Sequence, residues 1–470
     1  MDDLRENMMQ NRHLPDAVVG IGSDRSQFPF EHVHKMDEAN VAAHEVKLKA
    51  DHPTKRRFAM LGLIAATTMI NYLDRTVLGV AAPLMSKDLK IGAAEMGLVF
   101  SAFAWTYVAA QLPGGAFLDR FGSRLTYFLS ITLWSFLTIV QGFCTSTAAL
   151  VAARLGLGVA EAPCFPGASR MVAAWFPQNE RARATSIYTV GEYVGLALVS
   201  PLLFWLMPKL GWRLPFAILG GIGILFGLFW WRTYRDPHDD RKANKAEIDL
   251  IQTGGGMAGK PSTVRYEWKT IKKLLAQRQI WGAGIGQFAG NSALVFFLTW
   301  FPTYLATERG MNFKQMAFFS IFPYIAAAVG IVTGGYVSDL LIRRTGSVNL
   351  GRKLPIVTGL LLISSMATAN FVSSNVAVIA IMAVAFFGQG MVGIGWTVIS
   401  DIAPAGYQGL TGGIFNVVTN SSGIITPLGI GFIFSQTGSF TVALAIMSAI
   451  GVMGAAAYIF ILGDVRRLEI

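Results

Sequence analysis

The chain has 470 residues, of which 53% are hydrophobic and 14% charged, against about 25% charged in an ordinary soluble protein. That balance excludes a soluble globular enzyme and points to a polytopic membrane protein. The formal charge of +11 could suit nucleic acid or a membrane, and the placement of the bases decides between them.

Residues 1–55 are polar and hold five of the six histidines, His13, His32, His34, His44 and His52. This segment lacks the apolar core of a signal peptide and is expected to be a mostly disordered cytoplasmic tail, with metal binding a minor alternative because the histidine spacing is irregular. Twelve apolar stretches follow, at 58–84, 95–117, 125–143, 147–170, 183–207, 212–232, 279–305, 315–340, 354–372, 375–400, 408–434 and 439–463. As helices, each can cross a ~30 Å hydrocarbon core. The fold class is therefore an all-α membrane protein.

The bases mark alternate loops. Arg120 and Arg124 follow span 2, Arg181 and Arg183 follow span 4, Arg232 to Lys245 follow span 6, and Arg343, Arg344, Arg352 and Lys353 follow span 8. By the positive-inside rule both termini face the cytoplasm. The charge is topogenic, and no nucleic-acid partner is implied. Cys144 and Cys164 are too few for a disulfide framework.

A polar segment, 233–278, divides the spans six and six into bundles over 56–232 and 279–470. Within it "NKAEIDLIQ" predicts a short helix ending at Gly254 to Gly256, and "WKTIKKLLAQ" an amphipathic helix lying on the membrane surface. The halves also repeat one another. "GGAFLDRFGSR" closes span 2 and "GGYVSDLLIRR" closes span 8, each with paired glycines and an acid, Asp119 or Asp339, four residues after the second. Sites in such folds lie between the repeats near the midplane.

Buried ionisable groups cost about 2.5 to 3.5 kcal/mol each on insertion scales, so each marks a functional position. The deep ones are Asp74, Arg75, Arg154, Glu161 and Glu192, all in the first half. No histidine lies in a span, so proton coupling would fall to carboxylates, with Asp74 and Glu161 the proton sites; as the alternative, Asp74 is a fixed counter-ion of Arg75 or Arg154. Adjacent helical residues point about 100° apart, so Asp74 and Arg75 need not pair. Asn71 and Tyr72 share the face of Arg75, and together they offer amide, phenol and a bidentate fork to a hydroxylated carboxylate. Arg154 and Glu161 sit two turns apart, which assigns them different partners, Asp74 being the one expected for Arg154.

The loop "GGAFLDRFGSR" resembles the signature between helices 2 and 3 of the major facilitator superfamily, with Gly115, Asp119, Arg120, Gly122 and Arg124 matching its pattern. The resemblance implies two six-helix bundles and a conformational latch, made by these residues and by Asp339 in the second copy, that braces the cytoplasmic ends of helices in the outward-facing state. From about residue 58 to 468 the chain also resembles the anion:cation symporter branch, including bacterial D-galactonate and D-glucarate transporters. "NYLDR", "EAPCFPGASRMVAAWFPQNERARA", "FFLTWFPTYLATERGM" and "LTGGIFN" carry that likeness.

This narrower resemblance implies proton-coupled import of a sugar-acid anion across a bacterial inner membrane by a monomer without cofactors other than protons. It places proton carriage at Asp74 and Glu161, the substrate carboxylate at Arg75, and a pocket lining at Tyr72, Tyr107, Glu192, Trp396 and Asn416. Trp396 can equally pack or join an interfacial belt, and Asn416 can serve an interhelical hydrogen bond. Glu192 stands where the galactonate transporters have Gln, and Gly393 and Gly395 where they have hydroxyl residues. Galactonate, glucarate, galactarate, a hexuronate and other organic anions such as phthalate or tartrate remain open. A membrane enzyme would need a nucleophile or metal set that the spans lack, and a channel or sensor would favour symmetric polar rings or a signalling domain.

Overall fold

A computed structural model describes residues 52–178, 180–256, 268–404 and 407–469; the polar tail before His52 lies outside them. The described chain from Pro53 onward is one compact unit, all helical with no strand among the described residues. Nine helical segments are long and apolar enough to cross a membrane. One of them, Ala93–Phe143, is spans 2 and 3 joined through Gly122, whose φ of 78° is the left-handed backbone that glycine tolerates. Span 1, Arg56–Leu89, and span 7, Arg278–Thr299 continued by Phe301–Thr307, bring the total to twelve. Large apolar side chains such as Leu112, Leu198, Leu225 and Phe460 are exposed on the outside of the helices, as lipid-facing residues are.

Several spans are interrupted. Span 4 divides into Thr147–Glu161 and Cys164–Trp175, with Pro163 at the break immediately after Glu161. Span 10, its counterpart in the second half, divides into Asn375–Val392 and Gly395–Ile402 at Gly393. Span 11 divides into Gln408–Asn420 and Ser422–Thr437. At each break the backbone stays in the right-handed helical region, as at Ala162, Gly393 and Ser421, so these are kinks where the helical hydrogen-bond ladder is interrupted, and broken helices recur at transporter sites.

The halves meet through spans 1 and 7, 2 and 11, and 5 and 8. Glycines permit the close approach: a Cβ on Gly79 would lie 2.1 Å from the Leu298 carbonyl oxygen, and one on Gly97 2.7 Å from that of Pro427. Phe100 packs edge-on against Trp300 at 5.4 Å, and Phe204 lies 6.3 Å from Phe313. All four contacts lie in the half of the bundle away from the linker. The structure is thus closed between the halves at that end.

The linker forms the two expected helices, Lys245–Thr253, capped by Asn244 and ending at Gly254, and Trp268–Leu275. The first is more than a spacer. Glu247 is fully buried and accepts the backbone N–H groups of Arg56 and Arg57, each at 3.1 Å. No side chain of span 1 caps that helix, so the linker supplies the cap.

Candidate functional site

The break after Glu161 sets its carboxylate inside the first bundle, fully buried. Arg75, reaching from span 1, donates from Nε to Glu161 Oε2 at 2.9 Å and places Nη2 2.8 Å from the same oxygen. Aromatic rings pack against the guanidinium, with centroids 4.6 Å away for Phe103, 5.0 Å for Tyr107 and 5.1 Å for Tyr72. This cation is held by one carboxylate and three ring faces in a site of low dielectric, where each interaction is stronger than in water. Asn71, one turn before Arg75, flanks Glu161. Glu192, 3% exposed, lies beside the Tyr72 phenol and makes no ion pair among the described residues.

Asp74 faces elsewhere. It is 1% exposed, and the donors turned toward it are Thr138 and Trp134 on span 3, though neither oxygen has a partner in full hydrogen-bonding geometry. The pairing of Arg154 with Asp74 is not made. Arg154 instead lies 5.0 Å from the centre of the Phe103 ring and donates to the Phe100 carbonyl at 3.4 Å, while its Nε and Nη1 have no partner. The reason is rotational: the faces of Asp74 and Arg75 are about 100° apart, and the one that looks toward span 4 belongs to Arg75. Both guanidiniums then stack on Phe103, a residue the sequence reasoning did not single out.

Two hydrogen bonds tie this cluster to the second half. Asn416 donates to Gln111, which is one turn beyond Tyr107 on span 2. Tyr193, next to Glu192, donates to Gln389 at 3.1 Å. Gln111 and Gln389 were also not among the expected residues; a lone amide in an apolar helix was their only signal. Trp396 stays in its own half, 46% exposed and packed edge-on against Phe415 at 4.9 Å. It makes no hydrogen bond or ring contact with the Arg75 cluster.

The loop residues lie at the opposite end. Asp119 pairs with Arg170 at 2.9 Å, Arg124 donates to the Trp231 carbonyl at 2.8 Å, and Arg120 lies over Phe121 at 5.4 Å. Gly115 has open space where a Cβ would point. In the second copy, Arg352 sits 3.7 Å from Asp339 and 2.9 Å from Asp401. Each of these ties stays within one half.

Twelve spans in two halves, a midplane charge cluster in the first and interrupted helices beside it agree with the comparison to family models, where residues 64–427 match the Major Facilitator Superfamily. The chain belongs to the Major Facilitator Superfamily. It is a membrane transporter and not an enzyme. It is 43% identical over 429 residues to a D-galactonate transporter of Escherichia coli O6:H1, covering 90% of this chain and 100% of that one. A probable galactarate/D-glucarate transporter of Escherichia coli K12 is 40% identical, with 89% and 96% covered. A probable sulfoacetate transporter of Cupriavidus necator is 30% identical, with 87% and 94% covered. Among solved structures, a bacterial homologue of the human lysosomal transporter Spinster, described as inward-facing and occupied, superposes with a TM-score of 0.68 at 20% identity, over 87% of this chain and 97% of that one. That likeness concerns the superfamily fold.

Proposed function

We propose that this transporter is a proton-coupled symporter that imports a sugar-acid anion, such as galactonate, glucarate or galactarate, across a bacterial inner membrane by alternating access. Its termini and linker lie in the cytoplasm, so the end at which the halves are closed faces outward. The observation that carries the reading is the buried pair of Arg75 and Glu161 at 2.8 Å.

The coupling follows from charge. Without substrate, Glu161 neutralises Arg75. A substrate carboxylate seeking the same fork would leave two anions on one buried cation, which low dielectric opposes. Protonation of Glu161 resolves the conflict, because it frees the guanidinium for the substrate and sends a proton with it. Asn71, Tyr72 and Tyr107 then offer hydrogen bonds to the sugar hydroxyls, while Asn416, Gln389 and Trp396 supply the opposite wall. Asp74, close enough to interact with Glu161, is the second proton carrier. If more protons than substrate charges cross, the membrane potential adds ~2.3 kcal/mol per net charge per 100 mV.

The latch residues fit this cycle. In the conformation described, Asp119, Arg124 and Asp339 bind within their own halves, which leaves the linker side free to part; bracing across helix ends would accompany the outward-facing state. The three rings around Arg75 also suit a flat anion such as phthalate, a relative is named for sulfoacetate, and tartrate, a short hydroxylated dicarboxylate, would use the same hydrogen-bonding groups as a sugar acid; these are the competing substrates. Reconstituted protein is expected to accumulate D-galactonate, D-glucarate or galactarate only when the outside is more acidic. Uptake indifferent to the pH gradient refutes symport, uptake of phthalate or sulfoacetate alone moves the substrate class away from sugar acids, and uptake of tartrate alone moves it away from six-carbon acids.

A further inference from the structure

Asp74 poses a problem of access. The contacts of Gly97 with Pro427, Gly79 with Leu298 and Phe100 with Trp300 shut the passage between the halves on the side away from the linker. Asp74 lies inside the first bundle, turned away from that passage toward span 3. The groups facing it there are Thr138 and Trp134, and beyond them it interacts with Glu161 of span 4 and Arg75 of its own helix.

Span 3 carries an unusual polar line. Trp134, Thr138 and Gln141 are spaced four and three apart, which sets them on one face of the helix over about 10 Å. All three are fully buried. Trp134 Nε1, Thr138 Oγ1 and both polar atoms of the Gln141 amide have no hydrogen-bond partner among the described residues. Gln141 lies in the last turn of Ala93–Phe143, and exposed Thr145 follows in the loop beyond it. Buried polar groups without protein partners are met by ordered water in native structures. A role confined to solvating Asp74 would account for Thr138 and Trp134, but it leaves the amide of Gln141, a turn farther out, without a purpose.

We infer that Trp134, Thr138 and Gln141 line a hydrated path that carries protons between Asp74 and the end of the bundle away from the linker, separate from the route taken by the substrate. The hydroxyl of Thr138 both donates and accepts, so it can relay a proton between water and the Asp74 carboxylate. The Gln141 amide holds the outer water in line. Protons could then reach or leave Asp74 while the passage between the halves stays closed. This rests on the proton-coupled reading above.

The test uses the full chain in proteoliposomes, with D-galactonate, D-glucarate and galactarate as probes and three variants, Thr138→Val, Gln141→Leu and Thr138→Ser. Uptake driven by a pH gradient should fall at least tenfold in the Val and Leu variants. Counterflow at equal pH, which needs no net proton release, should stay within twofold of wild type, and the Ser variant should keep both activities. Val and Leu variants with unchanged gradient-driven uptake overturn the path. So does a parallel loss of uptake and counterflow that Thr138→Ser fails to restore, because it marks a packing role. A wild type indifferent to the pH gradient refutes symport itself and the path with it, whereas a coupled wild type with unaffected variants refutes only the path.

Discussion

Arg75 and Glu161 are 86 residues apart in the chain, yet two guanidinium nitrogens of one lie within 2.9 Å of a single carboxylate oxygen of the other. The pair is the resting form of the binding site, so altering either member should separate binding from coupling. Glu161→Gln removes the competing anion and keeps the shape. Substrate binding, read as a thermal shift, should persist and lose its pH dependence, while gradient-driven accumulation disappears. Arg75→Lys keeps the charge and loses the planar fork; affinity should fall about tenfold, or ~1.4 kcal/mol. Normal uphill uptake by the Gln variant would remove Glu161 from the proton cycle.

Asp74 touches neither the ring cluster nor a cation, so its neutralisation should act on proton movement alone. Asp74→Asn is expected to abolish pH-driven accumulation and to leave substrate-induced thermal shifts near the wild-type value. A lost thermal shift would mean that Asp74 shapes the pocket directly.

The extent to which the site could be read from its residues differs sharply from one residue to another. Asp74, Arg75, Glu161 and Glu192 stood out because charge inside an apolar span has no other explanation, and the spans themselves followed from their length. Partner choice was less legible. It depends on the rotation of span 1 about its axis and on Phe103, an aromatic residue indistinguishable in sequence from ordinary core, which now sits against both Arg75 and Arg154. Glu247 has no signal of its own: it shares the short helix Lys245–Thr253 with a second acid, Asp249, in a polar segment, and only tertiary docking buries it. Span 4 is expected from its residues to run unbroken over 147–170; Pro163 lies within it, and the structure interrupts the helix directly after Glu161.

Glu192 brings a further acid to a site meant for an anion, beside Tyr72 and without an ion pair. Replacing it with the neutral isostere should strengthen anion binding. Glu192→Gln is expected to lower the apparent KM for galactonate by roughly threefold to tenfold, equivalent to about 0.7 to 1.4 kcal/mol, and to reduce the protons moved per substrate. Uptake paired with simultaneous pH recording checks both; an unchanged ratio would assign Glu192 to packing.

A Cβ built on Gly97 would lie 2.7 Å from the Pro427 carbonyl oxygen and 3.3 Å from the Gly431 Cα of the other half, closer than van der Waals contact allows. A branched side chain would meet backbone, which cannot swing aside as a flexible side chain can. Gly97→Leu should therefore hold the halves apart at the end away from the linker and slow transport at least tenfold. The readout is a single cysteine, Ser101→Cys, one turn along the same face and buried in the wild type, in a chain with Cys144 and Cys164 replaced. Faster labelling of it from outside in the Gly97→Leu background is the expected result, and unchanged labelling would show that the contact is dispensable to closure.

Glu247 joins the linker to the helix that carries Asp74 and Arg75. Its carboxylate accepts two backbone N–H groups at the start of span 1 and lies 3.2 Å from Arg57 Nη1, while Arg57 keeps a second carboxylate, Glu180, at 3.0 Å. Truncation to Ala strands the N–H groups and half-pairs a buried cation. Loss of a cap and of one ionic contact together cost roughly 2 to 4 kcal/mol, and retention of Glu180 favours the lower end. Glu247→Ala should lower the melting temperature in detergent clearly, and Glu247→Gln, whose single amide oxygen can accept only one of the two N–H groups, by a smaller amount. The difference between the two variants reports the hydrogen bond and packing that Gln retains, while the gap from wild type to Gln holds the lost charge and the second N–H acceptor. If both melt like the wild type, the linker helix is not fastened through this carboxylate, and span 1 must draw its N-terminal stability from packing within the bundle.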